Sequence, residues 1–199
     1  MHKGRLEAFS DGVLAIIITI MVLEIKVPHG GSLEALKPIL PVFLSYILSF
    51  IYIGIYWNNH HHMFQLVKHV NGKVLWCNIH LLFWLSLVPF ATGWMGENNF
   101  SLWPVVVYGI ILLMCALAYT LIVFSLIKLH GKKSLFAAAI GKDIKGKVSA
   151  AIYVAGILLS FLSPWIGLLM YVTVAAIWFI PDTRIEKKII NENTEDIAK

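Results

Sequence analysis

The chain has 199 residues, of which 59% are hydrophobic, and its mean hydropathy is +0.79. A water-soluble domain of this composition would expose too much apolar surface, so a soluble fold is excluded. The formal net charge is +5, but the basic residues flank the apolar segments, a pattern typical of loops that set membrane orientation. A nucleic-acid partner is therefore not predicted.

The apolar segments predict an all-α integral membrane protein with six transmembrane helices. The six apolar segments cover residues 6–27, 38–67, 73–95, 102–129, 148–162 and 165–180. At about 20 residues per span, they leave only short loops between them. Only Ser163 and Pro164 separate the last two, and a proline breaks a helix, so a tight helical hairpin is expected. A short surface helix with Ser134 as its N-cap is expected over 134–140. The whole chain, 1–199, is predicted to be one six-helix transmembrane domain with a polar tail at about 182–199.

The distribution of basic residues predicts the orientation of the six spans. If the N-terminus is cytoplasmic, all but two of the 16 lysines and arginines fall on the cytoplasmic side, the exceptions being Lys26 and Lys37. Cytoplasmic loops carry such an excess of Lys and Arg. Both termini are therefore expected in the cytoplasm.

Polar side chains within the first three segments are expected to meet. Asp11 lies about 9 Å along the helix axis from Arg5, at ~1.5 Å per residue. By the same rise, His60 and His61 lie about 10 to 12 Å from the end of the second segment, and Asn78 about 7 to 8 Å into the third. These similar depths predict an interhelical polar network, because an unpaired carboxylate within a span is costly.

A run of three histidines, His60 to His62, raises the question of a metal site. Adjacent helical residues point about 100° apart, so three in a row do not converge on one ion, and no metal is predicted. Trp57 shares a helical face with His60 and His61, and its indole N–H is a donor for a carboxylate. Which of the two histidines joins the network stays open.

An aliphatic stripe follows Asp11 in the first segment. Ile16, Ile20 and Leu23 repeat at helical spacing, with Thr19 beside them. Such a stripe most often faces lipid or packs in a core, although hydrophobic constrictions also narrow channel pores. Periodicity alone does not decide between these arrangements.

These residues resemble the transmembrane protein 175 family of potassium channels, in its prokaryotic branch. The specific motifs lie in the first three segments: Arg5, Phe9, Ser10, Asp11 and Gly12, then Trp57, His60, His61 and Phe64, then Asn78 and residues 87–90. The overall resemblance extends over the six-helix layout.

The resemblance implies a homotetramer in the inner (plasma) membrane, with the first helix of each subunit lining a central pore. It assigns the constriction to Ile16 and a part in cation preference to Thr19, with Ile20 and Leu23 on the same lining face. It assigns an interhelical network to the motif residues Arg5, Phe9, Ser10, Asp11, Trp57, His60, His61 and Asn78. The predicted function is passive, potassium-selective conduction, with lipid and potassium as partners and no cofactor.

Two other classes of function were weighed. A proton-coupled transporter would use Asp11 and His60 as a relay, but transporters usually have broken helices around polar midplane sites, and the first segment is continuous. The other class is a non-conducting scaffold or a membrane enzyme, of which the enzyme is disfavoured because no nucleophile–base pair is evident.

Overall fold

The computed structural model describes residues 2–141 and 143–179, and all regular secondary structure in this part of the chain is helical, as predicted. It contains a 3-10 helix at Leu33–Ile39 and the following α-helices: α1 Gly4–Leu23, α2 Leu40–Gln65, α3 Gly72–Ser86, α4 Val88–Glu97, α5 Leu102–His130, α6 Leu135–Ile140, α7 Ile144–Leu159 and α8 Pro164–Phe179.

Within the described residues, four helical stretches are long and apolar enough to cross a membrane. They are α1, the 3-10 helix continued by α2, the pair α3–α4, and α5. The two remaining predicted spans correspond to α7 and α8, which have 16 residues each. The end of the predicted sixth span, the tail at 182–199 and the basic residues Lys142, Arg184, Lys187, Lys188 and Lys199 lie outside the described residues.

The third predicted span is two helices rather than one. α3 ends at Ser86 and α4 begins at Val88, with Leu87 as the junction. Pro89 lies in the first turn of α4, where its missing N–H removes one i→i−4 hydrogen bond and its ring crowds the preceding turn. The prediction of one uninterrupted span over 73–95 is therefore wrong in its continuity.

The last three helices form as expected, with small shifts in their ends. The Ser134 hydroxyl accepts a hydrogen bond from the Ala137 amide at 3.2 Å and caps α6, while Phe136 is buried, so α6 packs onto the bundle. α7 begins at Ile144, four residues before the predicted start, because Asp143 caps it by accepting from the Gly146 amide. α7 and α8 pack against each other as the predicted hairpin.

α5 lies at the centre of the bundle, where it packs against α3, α4, α7 and α8. Its contact with α8 depends on Gly109, because a Cβ there would lie 2.0 Å from the Tyr171 hydroxyl oxygen. α2 and α4 approach as closely, since a Cβ on Gly96 would lie 2.6 Å from the Cα of Val42. Gly96 thus allows the backbones of α2 and α4 to approach closely, as small residues do in membrane helices, whereas Gly109 makes room for the Tyr171 side chain.

α1 lies on the opposite side of the bundle from the α7–α8 hairpin. It packs against α2, α3 and α4 only on one face. This arrangement leaves the other face of α1 uncovered in a single subunit.

Candidate functional site

α1 has a buried and an exposed face, and the predicted pore residues lie on the exposed one. The side chains of Ile16, Ile20 and Leu23 are 58%, 42% and 79% exposed, and Thr19 is exposed beside them. The face packed on the bundle consists of Leu6, Ser10, Leu14, Ile17 and Met21. The stripe therefore does not pack within its own subunit, which removes one of the alternatives left open by the sequence.

The Thr19 hydroxyl has a defined orientation. It donates a hydrogen bond of 2.8 Å to the carbonyl oxygen of Ile16. This bond uses the only hydroxyl proton, so the remaining lone pairs of the oxygen face away from the helix backbone. Thr19 is thus an exposed oxygen acceptor within an aliphatic surface.

A groove of about 710 Å³ adjoins this face, between α1 and the α3–α4 pair. Ile16 and Ile20 form one wall, and Phe90 and Trp94 of α4 form part of the other. At the end of the groove the Lys26 ammonium and the Glu97 carboxylate are 2.8 Å apart, and the hydrogen bond from Lys26 to Glu97 raises the pKa of Lys26. Because both groups are exposed, the pair contributes little to stability.

Three helices are joined by a buried chain of hydrogen bonds. The Asn78 amide nitrogen donates to the Ser10 hydroxyl oxygen at 2.9 Å, and the Asn78 amide oxygen lies 2.8 Å from Nε2 of His60. Ser10 itself donates to the carbonyl oxygen of Leu6 at 2.9 Å. Because the single Ser10 hydroxyl proton is used in that bond, the Asn78 NH₂ group must be the donor to Ser10. The Asn78 amide oxygen therefore faces His60, and since this oxygen can only accept, Nε2 of His60 carries the proton and donates.

Asp11 makes a separate contact with the second helix. Its Oδ1 accepts a hydrogen bond from the Trp57 indole nitrogen at 3.1 Å, and both residues are exposed in the subunit. His61 stacks on Trp57, with ring centroids 6.0 Å apart, and bonds to Gln65 of its own helix at 2.8 Å. His60 is therefore the histidine that bonds across helices, which the sequence left open.

Two residues assigned to the network by resemblance have no such contact within the described chain. Arg5 is exposed, and no hydrogen bond or ion pair of its side chain occurs within residues 2–141 and 143–179. Phe9 is 59% exposed and lies on the same side of α1 as Ile16, since seven residues make nearly two full turns. Lys3 instead links the start of α1 to the end of α2, where its ammonium donates to the carbonyl oxygen of Phe64.

A second buried polar cluster was not found from the sequence. The Ser49 hydroxyl lies 2.6 Å from the Thr92 hydroxyl and 3.0 Å from the Tyr108 hydroxyl, which joins α2, α4 and α5. Thr92 also approaches the sulfur of Met21 on α1 at 4.0 Å. Single hydroxyls in apolar helices are too common to indicate such a cluster before the helix pairs are known.

The described residues contain no group of three or more histidine, cysteine or acidic side chains placed to hold a metal ion. His60 bonds to Asn78 on α3 and His61 to Gln65 on its own helix, so these two side chains point in different directions, as the helix geometry requires.

Comparison with known proteins decides the family. A family model described as "Endosomal/lysosomal potassium channel TMEM175" matches residues 5–89. A protein of Chryseobacterium sp. (strain P1-3), named a potassium channel, is 59% identical over 189 residues, which cover 95% of this chain and 98% of the relative. The chain belongs to the TMEM175 family.

Other members of the TMEM175 family share the fold and part of the sequence. A crystal structure described as a lysosomal potassium-selective channel TMEM175 homolog from Chamaesiphon minutus superposes with a TM-score of 0.79 at 31% identity, covering 90% of this chain and 97% of that chain. The Gallus gallus protein, named an endosomal/lysosomal proton channel, is 31% identical over 160 residues, which cover 72% of this chain and 32% of the relative. The matched family segment, 5–89, contains every residue singled out in the sequence analysis for the pore or the network.

Proposed function

We propose that this chain is the subunit of a homotetrameric, potassium-selective cation channel that conducts passively through a pore lined by α1. The observation that carries the proposal is the uncovered apolar face of α1 in a protein of this family: Ile16, Ile20 and Leu23 are exposed in the subunit. In a tetramer with α1 nearest the axis, four such faces surround a narrow apolar path. Ile16 forms the constriction, and Thr19 is the polar group nearest to it.

Each subunit crosses the inner (plasma) membrane six times, with both termini in the cytoplasm. The distribution of basic residues supports this orientation. α7 and α8 are about 24 Å long at ~1.5 Å per residue, shorter than the roughly 30 Å hydrocarbon core, and local thinning or snorkelling at their ends accommodates the difference. Potassium is the permeant ion, and the channel needs no cofactor.

The polar network is proposed to hold α1 in place rather than to conduct. Ser10, Asn78 and His60 are buried and bonded to one another, so they do not line the exposed face. Arg5 and Phe9 are exposed beside that face, and we assign their contacts to the neighbouring subunit, together with the groove that adjoins Ile16. His61 and Trp57 position Asp11 on the same surface.

Substitution of the constriction tests the proposal. Loss of water from an apolar ring limits conduction through it, and Ile16→Asn should hydrate the ring. We expect cation flux in proteoliposomes to rise about tenfold or more, with reduced discrimination between potassium and sodium. The matched control is Val22→Asn, since Val22 is also exposed, at 46%, but lies about 120° around the helix. Ile17 is unsuitable as a control because its side chain is only 3% exposed and asparagine there would disrupt packing. Equal flux increases in Ile16→Asn and Val22→Asn would show that the assigned pore face is wrong.

The alternative, a proton-coupled transporter with an Asp11–His60 relay, receives less support. Asp11 is bonded to Trp57 and His60 to Asn78, so the two groups belong to separate hydrogen-bonded pairs in the described chain. The vertebrate relative named a proton channel nevertheless makes the measurement worthwhile. Proton uptake into proteoliposomes that is driven by an outward potassium gradient at zero membrane potential, and that Asp11→Asn abolishes, would favour this alternative.

A further inference from the structure

The C-terminal end of α1 lies among the charged side chains at one end of the bundle. The Lys26–Glu97 ion pair joins the chain after α1 to the end of α4, and Gly96 packs against Val42 near the start of α2. These three element ends therefore lie together. Within the described residues this end of the bundle carries three carboxylates and two ammonium groups, those of Glu24, Glu34 and Glu97 and of Lys26 and Lys37.

Both lysines form ion pairs with carboxylates other than that of Glu24. The Lys26 ammonium lies 2.8 Å from Oε1 of Glu97, and the Lys37 ammonium lies 2.6 Å from Oε2 of Glu34. Lys26 interacts more weakly with Glu24 than with Glu97. In residues 2–141 and 143–179 the Glu24 side chain makes no hydrogen bond or ion pair. The negative charge left over at this end of each subunit is therefore that of Glu24.

Glu24 directly follows the exposed apolar face of α1. It is itself exposed and lies one turn beyond Ile20, at the i+4 spacing that makes two side chains neighbours on a helix surface. Glu24 lines the same groove as Ile16 and Ile20. The C-terminal end of a helix adds roughly half an elementary negative charge from its carbonyl groups. The end of α1 therefore places a negative potential beside one end of the proposed ion path.

We propose that Glu24 forms a ring of four carboxylates at one mouth of the tetrameric channel and attracts cations into the pore. The inference rests on the proposed function, because it requires α1 of each subunit to lie nearest the axis. Clustered charge of one sign in a low-dielectric mouth raises the local concentration of counter-ions, and rings of acidic side chains favour cations in channels. Glu24 thus supplies cations to the constriction at Ile16. With both termini in the cytoplasm, this mouth is the outer one.

Potassium flux into proteoliposomes at two concentrations of potassium chloride tests the role of Glu24. Glu24→Gln removes the charge and nearly keeps the shape, so the exposed site should not disturb the fold. Relative to wild type, flux should fall about two- to fivefold at about 0.01 M salt, where the Debye length is about 30 Å, and match wild type at about 1 M, where it is about 3 Å. A decrease of the same size at both concentrations would overturn the proposal, as would unchanged flux at low salt.

Two further substitutions separate a ring at the mouth from general surface charge. Lys26→Met leaves the groove-lining Glu97 without its partner, so flux at low salt should rise about twofold, opposite to the effect of Glu24→Gln. Glu34→Gln is the charge-matched control, because it removes one negative charge at the same end of the bundle from a 3-10 helix that does not line the groove. It should reduce low-salt flux by clearly less than Glu24→Gln. Equal decreases in the two variants would refute the ring.

The response to Ile16→Asn distinguishes a failure of this inference from a failure of the proposed function. If Ile16→Asn raises flux as expected and Glu24→Gln has no salt-dependent effect, α1 lines the pore but Glu24 does not lie at its mouth. If neither substitution alters flux, the assignment of α1 to the pore is wrong, and the Glu24 ring is refuted with it.

Discussion

Thr19 differs in chemistry from its neighbours on the exposed face of α1. Its hydroxyl donates to the Ile16 carbonyl oxygen at 2.8 Å, so its lone pairs are directed outward. Thr19→Val nearly keeps the shape but removes this acceptor. We expect potassium preference over sodium to fall severalfold without loss of conduction, measured as the reversal potential under potassium and sodium gradients.

The control for Thr19 is Thr173 on α8, an exposed residue whose hydroxyl makes the equivalent bond to Leu169 at 2.8 Å. Thr173→Val removes the same group from a helix outside the proposed pore. An equal change in selectivity for both variants would show that the Thr19 effect comes from altered helix packing rather than from contact with the ion.

Asn78 is the central residue of the buried network, because it bonds to both Ser10 and His60. Asn78→Leu has similar volume but leaves the His60 N–H without an acceptor in an apolar interior, at a cost of about 1 to 3 kcal/mol. We expect a lower melting temperature and loss of tetramer in size-exclusion chromatography. Asn98→Leu is the matched control, since Asn98 is exposed; a comparable loss there would contradict the assigned role of the network.

The residues of this network could be predicted to meet because depth along a helix follows from a fixed rise per residue. That reasoning brought Asp11, His60, His61 and Asn78 to one level of the bundle. It could not show that Asp11 and His60 have different partners, because rotation about each helix axis depends on packing. The contact of Lys3 with the end of α2 was not predicted for a similar reason, because it depends on how closely the ends of the two helices approach each other.

Close contact between the helices α5 and α8 depends on Gly109. A Cβ there would lie 2.0 Å from the hydroxyl oxygen of Tyr171 and 2.4 Å from its ring, so Gly109→Ala forces the helices apart. We expect destabilisation of about 1 to 3 kcal/mol, as for other overpacked interiors, measured by thermal unfolding in detergent.

Gly54 provides the matched control, because it lies within α2 and nothing would contact a Cβ placed there. Gly54→Ala should be neutral or stabilising by up to about 1 kcal/mol, since alanine is the better helix former. If both variants lost stability equally, the Gly109–Tyr171 contact would not be the cause.

Element type was easier to predict than element continuity. Long apolar runs gave the helices α1, α2 and α5, because such runs have few alternatives in a membrane. The sequence did not predict the break at Leu87. A proline such as Pro89 within an apolar run is compatible with either one kinked helix or two separate helices, so the sequence does not distinguish them.

The number of membrane crossings, six or four, depends on whether the short α7–α8 hairpin spans the bilayer. Single cysteines at Ser32, Ser134 and Ser163 would be labelled with a membrane-impermeant maleimide in cells, in a background with Cys77→Ser and Cys115→Ala. Serine at Cys77 keeps the contact with Ser125, and alanine suits the buried Cys115 site. With six crossings and cytoplasmic termini, Ser32 and Ser163 should react from outside and Ser134 only after permeabilisation. If a cysteine at Ser163 reacted only after permeabilisation, as expected at Ser134, the short hairpin would not cross and the subunit would have four spans. If cysteines at Ser32 and Ser134 reacted from the same side, the orientation inferred from the basic residues would be wrong.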